Sequence, residues 1–237
     1  MTLTRCDLLF ADRAILIEGA SERLILPEMI RKSDAEVSEN GGLLGSQYLS
    51  IMEVGGAYAH RFFNLLDFLN LRTLIITDLD TVDSNNNRMK CKVSQGTHTS
   101  NACINAWYSN DGDANPTKDA LLEKTEDDKI SANRRLAHQV PHAAGEACGR
   151  SFEDSFMLAN SEKFNITGDT PDERETQAWD LADKVDKTDF AMKFAIIDTE
   201  WITPLYIEEG LRWLAETPNV SEEAVGPAAG SEDHDNA

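Results

Sequence analysis

The sequence is short of cations, of long apolar runs and of paired cysteines. Its 22 Lys and Arg stand against 42 Asp and Glu, for a net charge of −20. A surface of that sign repels nucleic acid at long range, which argues against a stand-alone, tight nucleic-acid binder. No run reaches the ~18 apolar residues of a membrane span. Met1-Thr2-Leu3-Thr4-Arg5-Cys6 has neither a charged leader before an apolar core nor a small-residue cleavage site, so no secretory signal and a cytoplasmic location are expected. Cys6, Cys91, Cys103 and Cys148 are scattered without a CxxC pair and read as reduced thiols, not as disulfides or a zinc site. His60, His98, His138, His142 and His234 show no metal-ligand spacing, and no Ser-His-Asp or Cys-His arrangement is apparent. The tryptophans Trp107, Trp179, Trp201 and Trp213 read as core or interface anchors, not as base-stacking platforms.

What is present is enough for a sizeable core. The chain has 237 residues, of which 41% are hydrophobic and 27% charged, as in soluble globular proteins. Short apolar runs at Ala14–Ile17, Gln47–Glu53 and Thr73–Thr77 read as strands. Helical spacing follows the first two, at Ser21–Arg31 (with Pro27 as a blemish) and Tyr58–Asn70. This β-α-β-α-β order predicts a parallel sheet covered by helices. Residues 81–140 are less regular. They offer a short helix at Asn101–Trp107, a loop at Asn110–Thr117 and a solvated helix or linker at Lys118–Asn133. Helices return at Phe152–Asn160, Glu173–Val185, Asp189–Asp198 and Leu205–Ala215. The expected organisation is an α/β core over 1–145, a helical segment contributing to the site over 146–215 and an acidic, disordered tail over 216–237.

Three of the strands end on acids: Glu18, Glu53, and Asp78 with Asp80. Ligands of parallel α/β sheets sit at the carboxyl ends of the strands, so these acids are expected on one edge. Converging carboxylates repel and call for a cation or shared protons, and oxygen-only donors favour Mg²⁺, Mn²⁺ or Ca²⁺. Gly19 permits a tight turn, and Glu22, one helical turn after Glu18, can reach a second ion. Asp78 and Asp80 share one side if the segment stays extended. Two ions ~4 Å apart suit phosphodiester hydrolysis. The plainer alternatives are that Glu18 and Glu22 favour a helix N-terminus and that Asp78-Leu79-Asp80 is a turn.

Glu-Gly after a first strand and Asp-x-Asp after a third is the signature of the Toprim fold. The stretches ILIEGASERLILPEM, EVGGAYAHRFFNLLDFLNLRTLIITDLDTVD, TSNACINAW, GRSFEDSFMLAN and KTDFAMKFA together resemble the C-terminal Toprim region of class 2 OLD (overcoming lysogenization defect) nucleases, from about Ala14 to Ala215. The resemblance implies a Toprim-type parallel sheet flanked by helices, with an attached helical subdomain. It also implies a metal-dependent endonuclease acting on DNA with two Mg²⁺ or Mn²⁺ ions, Ca²⁺ substituting without supporting cleavage. By motif, Glu18, Glu22, Asp78 and Asp80 would bind metal, Ser151 and Glu153 would complete the metal shell, and Lys187 would sit near the scissile phosphate. The family couples its nuclease to an N-terminal ABC-type ATPase. No GxxxxGK[ST] motif occurs here, so that region is expected to be absent from this chain.

Each later residue has a competing assignment. Ser151 makes a good helix N-cap with Glu153 as a first-turn acid. Asp154 is expected to point outward, and Lys184 and Lys193 compete with Lys187. Glu53 and Asp83 are spare acids. Arg61, Arg88, Lys90, Lys92, Arg134, Arg135 and Arg150 are candidates for a basic patch. Other functions stay open: a Toprim domain of topoisomerase or primase type, although Tyr48, Tyr58, Tyr108 and Tyr206 lack a nucleophile's context, or a non-catalytic metal-binding or dimerisation module.

Overall fold

The structure, a computed structural model, describes residues 3–36, 42–55, 57–109 and 115–216. Gly56, most of the loop expected at Asn110–Thr117, and the expected tail beyond Glu216 lie outside the described residues. In chain order the strands are β1 (Arg13–Ile17), β2 (Leu49–Glu53), β3 (Thr73–Ile76), β4 (Thr81–Asp83), β5 (Met89–Lys90), β6 (His98–Thr99), β7 (Ile130–Ser131) and β8 (Arg134–Ala137). The main sheet runs β2-β1-β3-β8-β7. Its first four strands are parallel, with Ile17 beside Glu53, Leu16 beside Ile75 and Ile76 beside Ala137, and β7 closes the edge antiparallel to β8. Strands β5-β4-β6 make a small antiparallel sheet.

Both faces of the main sheet are covered, which is why its inner strands β1 and β3 read as apolar runs rather than alternating. Ile15, Ile17, Leu74 and Ile76 pack on one side against α1 (Ala20–Glu36) and the later helices, while Ala14, Leu16, Ile75 and Leu136 pack on the other against Leu66, Ile104, Trp107 and Leu121. The second side is built from α2 (Phe63–Leu69), α3 (Ala102–Tyr108) and α4 (Lys118–Leu122). Pro27 falls inside α1, which runs past it to Glu36 because Ile25, Leu26, Met29 and Ile30 are buried against the sheet. The expected helix at Tyr58–Asn70 divides into a 3-10 turn, Ala59–Phe62, and α2, which ends on Asn70 in the left-handed region (φ 51°).

The later helices are α5 (Phe152–Ala159), α6 (Pro171–Ala182), α7 (Lys187–Met192), which continues as a π turn over Lys193–Ile197, and α8 (Leu205–Ala215). They share the first core. Phe156 touches the rings of Phe152, Phe164, Phe190, Phe194 and Trp201. This aromatic nucleus fixes α5 and α7, and with them Glu153 and Lys187, beside the start of α1.

Candidate active site

Glu18 follows directly on β1, Asp78 lies just beyond β3 and Gln139 just beyond β8, so adjacent parallel strands deliver three polar side chains to one edge of the sheet. Glu18 Oε1 accepts from the Thr77 hydroxyl, from the Asp78 backbone N–H at 3.1 Å and from Asn101 Nδ2 at 2.9 Å. Asn101 does two jobs. Its Nδ2 also donates to Thr77 Oγ1 and to the Asp78 carbonyl, both at 2.8 Å, while its Oδ1 caps α3 through the N–H groups of Cys103 and Ile104. Gln139 Nε2 donates to Asp78 Oδ1 at 2.7 Å and contacts the Tyr206 hydroxyl at 3.2 Å, and its Oε1 takes the Leu79 N–H. Both amides are buried, so the carboxylates they hold have little freedom.

Asp80 is not extended. Its backbone lies in the left-handed region (φ 50°), where Asp is among the side chains best tolerated. The expectation that Asp78 and Asp80 share a side through extended geometry therefore fails in its reasoning, although both line the same cleft. That cleft, of about 310 Å³, is bounded by Asp78, Asp80, Arg150, Ser151, Glu153 and Lys187, with Lys90 and Trp179 at its rim. Arg150 Nη2 reaches Asp80 Oδ1 at 2.6 Å. Glu153, buried at the first turn of α5, accepts from Ser21 Oγ at 3.0 Å and from Lys187 Nζ at 2.9 Å.

Electrostatically the acids act as one group. Burial raises the Asp78 carboxyl well above the usual range, reinforced by the charges of Glu22, Glu18, Asp80 and Glu153. Glu22 is pushed up to about 7, first by burial and then by Glu153 and Glu18, against its own backbone hydrogen bond and Lys187. Burial alone would lower Lys187, but the charge and hydrogen bond of Glu153 outweigh it and raise the ammonium's pKa.

Asp154 overturns the expectation that it points outward. It is buried, lines the cleft and closes the N-terminus of α5 by accepting from the Arg150 N–H at 3.0 Å and the Ser151 N–H at 2.7 Å. Burial raises it to about 6, against those hydrogen bonds. Ser151 is the N-cap of α5, as expected, and Asp154, at the third helical position, completes its capping box, so the first-turn acid Glu153 faces the site. Glu18 and Glu22 are not among the residues that line the cleft, but their charges bear on Asp78, which does. Glu53 is exposed at the end of β2, and Asp83 caps its own turn through the Asn85 N–H at 2.8 Å. Lys193 lies over the Phe194 ring. Of the candidate basic patch, Lys90 and Arg150 reach the cleft, whereas Arg134 and Arg135 are buried and paired with Asp67 and Glu126. Asn101 and Gln139 are not marked as site residues by the sequence, and Trp179, expected as a core or interface anchor, is half-buried and lines the cleft. Nothing in the local spacing of the two amides marks them, since their partners lie on distant segments.

Among the described residues, no three His, Cys, Asp or Glu side chains are grouped so as to hold a metal ion as they stand. Asp80 faces Arg150 and Glu153 faces Lys187 instead. The donor chemistry nevertheless fits a hard divalent cation. The groups are carboxylates and a hydroxyl, and the mutual repulsion that adds to burial in raising Asp78 and Glu22 is what a cation would relieve.

A mostly parallel sheet whose first and third strands run into Glu18 and into Asp78 and Asp80 is a Toprim-type fold. Residues 9–80 match the family described as overcoming lysogenization defect protein-like, TOPRIM domain. Endonuclease GajA of Bacillus cereus (strain HuB5-5) is 28% identical over 237 residues, which is 88% of this chain and 32% of that protein. Endonuclease GajA of Bacillus cereus (strain VD045) is 36% identical over 72 residues, 30% of this chain and 11% of that protein. The chain thus spans about a third of the length of the first of these relatives. Among solved structures, the C-terminal region of the Burkholderia pseudomallei OLD protein superposes with a TM-score of 0.48 at 17% identity, covering 87% of this chain and 98% of that one. The C-terminal region of the Xanthomonas campestris pv. campestris OLD protein, phased with platinum, gives 0.47 at 19% identity, covering 88% and 94%.

Proposed function

We propose that the cleft is the active site of a metal-dependent DNA endonuclease that hydrolyses phosphodiester bonds. The observation that carries this reading is the meeting of Asp78, Asp80 and Glu153 with Arg150 and Lys187 in one cleft at the carboxyl edge of the sheet. Similarity to proteins named as endonucleases supports it. Glu18, Asp78 and Asp80 on one side, and Glu22, Glu153 and Ser151 on the other, would hold Mg²⁺ or Mn²⁺, two ions in all. Bound there, the ions supply a water activated at neutral pH and charge stabilisation for the leaving oxygen.

The chain's own residues have separate tasks in this mechanism. Asn101 and Gln139 fix the Glu18 and Asp78 carboxylates, so little reorganisation is left for the reaction. Lys187 and Arg150, now paired with Glu153 and Asp80, are the cations that can turn to the phosphate oxygens when those acids take other partners. The chain is, in this reading, the C-terminal nuclease part of a longer cytoplasmic protein whose ABC-type ATPase region lies N-terminal to it and which works as a homodimer.

Cleavage of supercoiled plasmid with Mg²⁺, Mn²⁺, Ca²⁺ or EDTA, by the chain and its Asp78→Asn variant, is the test. Nicking with Mg²⁺ or Mn²⁺ that is absent with EDTA and falls at least about a hundredfold in the variant is expected. A fully active variant, or a folded wild type that cuts with no metal, would sink the reading.

A further inference from the structure

The rim of the cleft carries an aromatic side chain that the proposed chemistry does not use. Trp179, on α6, is half-buried and lines a cleft otherwise dominated by charged groups. It is also the odd one out among the tryptophans, since Trp107, Trp201 and Trp213 are 7%, 5% and 8% exposed. Its placement is fixed by what happens one turn earlier on α6. Lys92 Nζ donates to Thr176 Oγ1 at 2.6 Å, and the Ser94 N–H donates to the buried Glu175 at 3.1 Å, so the segment following β5 lies along the helix. Thr176 and Trp179 are three residues apart and share a face. The register that docks the small sheet on α6 therefore sets the Trp179 ring beside Lys90 of β5. Lys90 Nζ lies over the Trp179 ring, 4.6 Å from its centroid, and 3.5 Å from Asp183 Oδ1, and its side chain is half exposed.

A flat apolar ring and a half-exposed ammonium lying over it, both lining an acid-rich cleft, match the two parts of a nucleotide once the ammonium swings off the ring face. The ring offers a face for a base of any identity, and the ammonium offers a counter-charge for the adjoining phosphate. We propose that Trp179 and Lys90 form a strand clamp: Trp179 stacks on an unpaired base next to the phosphate in the cleft, and Lys90 exchanges Asp183 for a backbone phosphate. The proposal rests on the endonuclease reading and adds to it a substrate class, DNA with a base whose face is free. A base inside an intact duplex is stacked on both sides and cannot take the ring.

The test uses the full chain with Ca²⁺ present, an oligothymidylate of about 20 nucleotides and a blunt duplex of the same length. With the other three described tryptophans buried, emission quenching reports on Trp179. Quenching by the single strand, little quenching by the duplex and no quenching signal in Trp179→Phe are expected. By anisotropy of the labelled strand, Trp179→Ala should lose about tenfold in affinity while Trp179→Phe, which keeps a ring, stays close to wild type. Lys90→Ala, at an exposed position, should reduce the slope of log affinity against log salt by roughly 0.7. If the wild type cuts plasmid but Trp179→Ala binds as tightly as wild type, or the duplex quenches as strongly as the single strand, the clamp is wrong and the nuclease stands. If the wild type neither binds the strand nor cuts plasmid with Mg²⁺ or Mn²⁺, both readings fall together.

Discussion

At the scale of single residues, the site is a set of carboxylates held by amides. The carboxylates were legible in the sequence because an apolar strand that ends on an acid needs a reason. The amides were not. Gln139 meets Asp78 across 61 residues and Asn101 meets Glu18 across 83, and no local pattern encodes such a meeting. The neighbour of Gln139 supplies a measurable consequence. His138 is buried, its Nδ1 lies 3.1 Å from the Gln139 carbonyl, and its Nε2 has no hydrogen-bond partner among the described residues. Burial lowers it to about 4, against the pull of the Gln139 carbonyl and with a small push from Lys129. A histidine depressed in the fold leaves the unfolded chain binding more protons between about 4 and 6.5. Its contribution to stability is then complete above 6.5 and lost as the pH falls towards 4. Urea denaturation of wild type and His138→Gln across that range should show their stability difference moving by about 3 kcal/mol, wild type losing ground on acidification. Asp154 and Glu22, raised in the fold, act in the opposite direction but are common to both proteins and cancel in the difference. A flat difference would mean that His138 titrates alike in the folded and unfolded chains.

At the scale of elements, the first three strands and α8 were readable from periodicity, and Leu205–Ala215 falls where the apolar spacing placed it. Strand β8 was hidden because its sequence, RRLA, opens on two arginines. Their charges are met by Asp67 and Glu126, one before the strand's partner β3 and one before β7, so the strand is buried only once the fold is complete. The small sheet was missed for a related reason: strands of two or three residues carry too little pattern to read. The packing of α8 on β3 gives a sharp prediction. Replacing a helical glycine with alanine normally gains about 1 kcal/mol. At Gly210 a Cβ would come within 2.6 Å of Leu74 Cδ1 at the centre of the sheet. Gly210→Ala should instead cost about 1–3 kcal/mol in urea denaturation. Adding Leu74→Ala should return part of that loss, a non-additivity expected only of residues in contact. A stabilised Gly210→Ala would show that α8 does not press on β3 this closely.

At the scale of the whole molecule, the charge of −20 and a DNA substrate pull against each other. Residues 217–237 contain five acids (Glu222, Glu223, Glu232, Asp233 and Asp235) and no Lys or Arg, so removing them takes the net charge from −20 to −15. A chain ending at Glu216 should bind labelled single-stranded DNA several-fold more tightly at low salt and no more tightly at high salt, because the effect is one of long-range repulsion. Equal affinity at low salt would show that the tail's charge does not reach the site. Composition announced this repulsion at once. It could not say that Arg150, Lys187 and Lys90 gather at one cleft, because that gathering depends on helices that come after residue 150 meeting strands that come before residue 100.

The hydrogen bond from Ser21 to Glu153 joins residues 132 apart in the chain. Bringing such distant segments together costs loop-closure entropy before any contact repays it, and folds built on such pairings form slowly. On a ribosome, β1, β2 and β3 emerge early and can begin to pair, but Glu153 and Lys187 do not yet exist. A half-made chain therefore holds Glu18 and Asp78 without the residues that complete their setting. In the proposed nuclease, the capacity to cut DNA is complete only once α5 and α7 have been made. In that reading, the order of synthesis withholds cleavage from the unfinished protein.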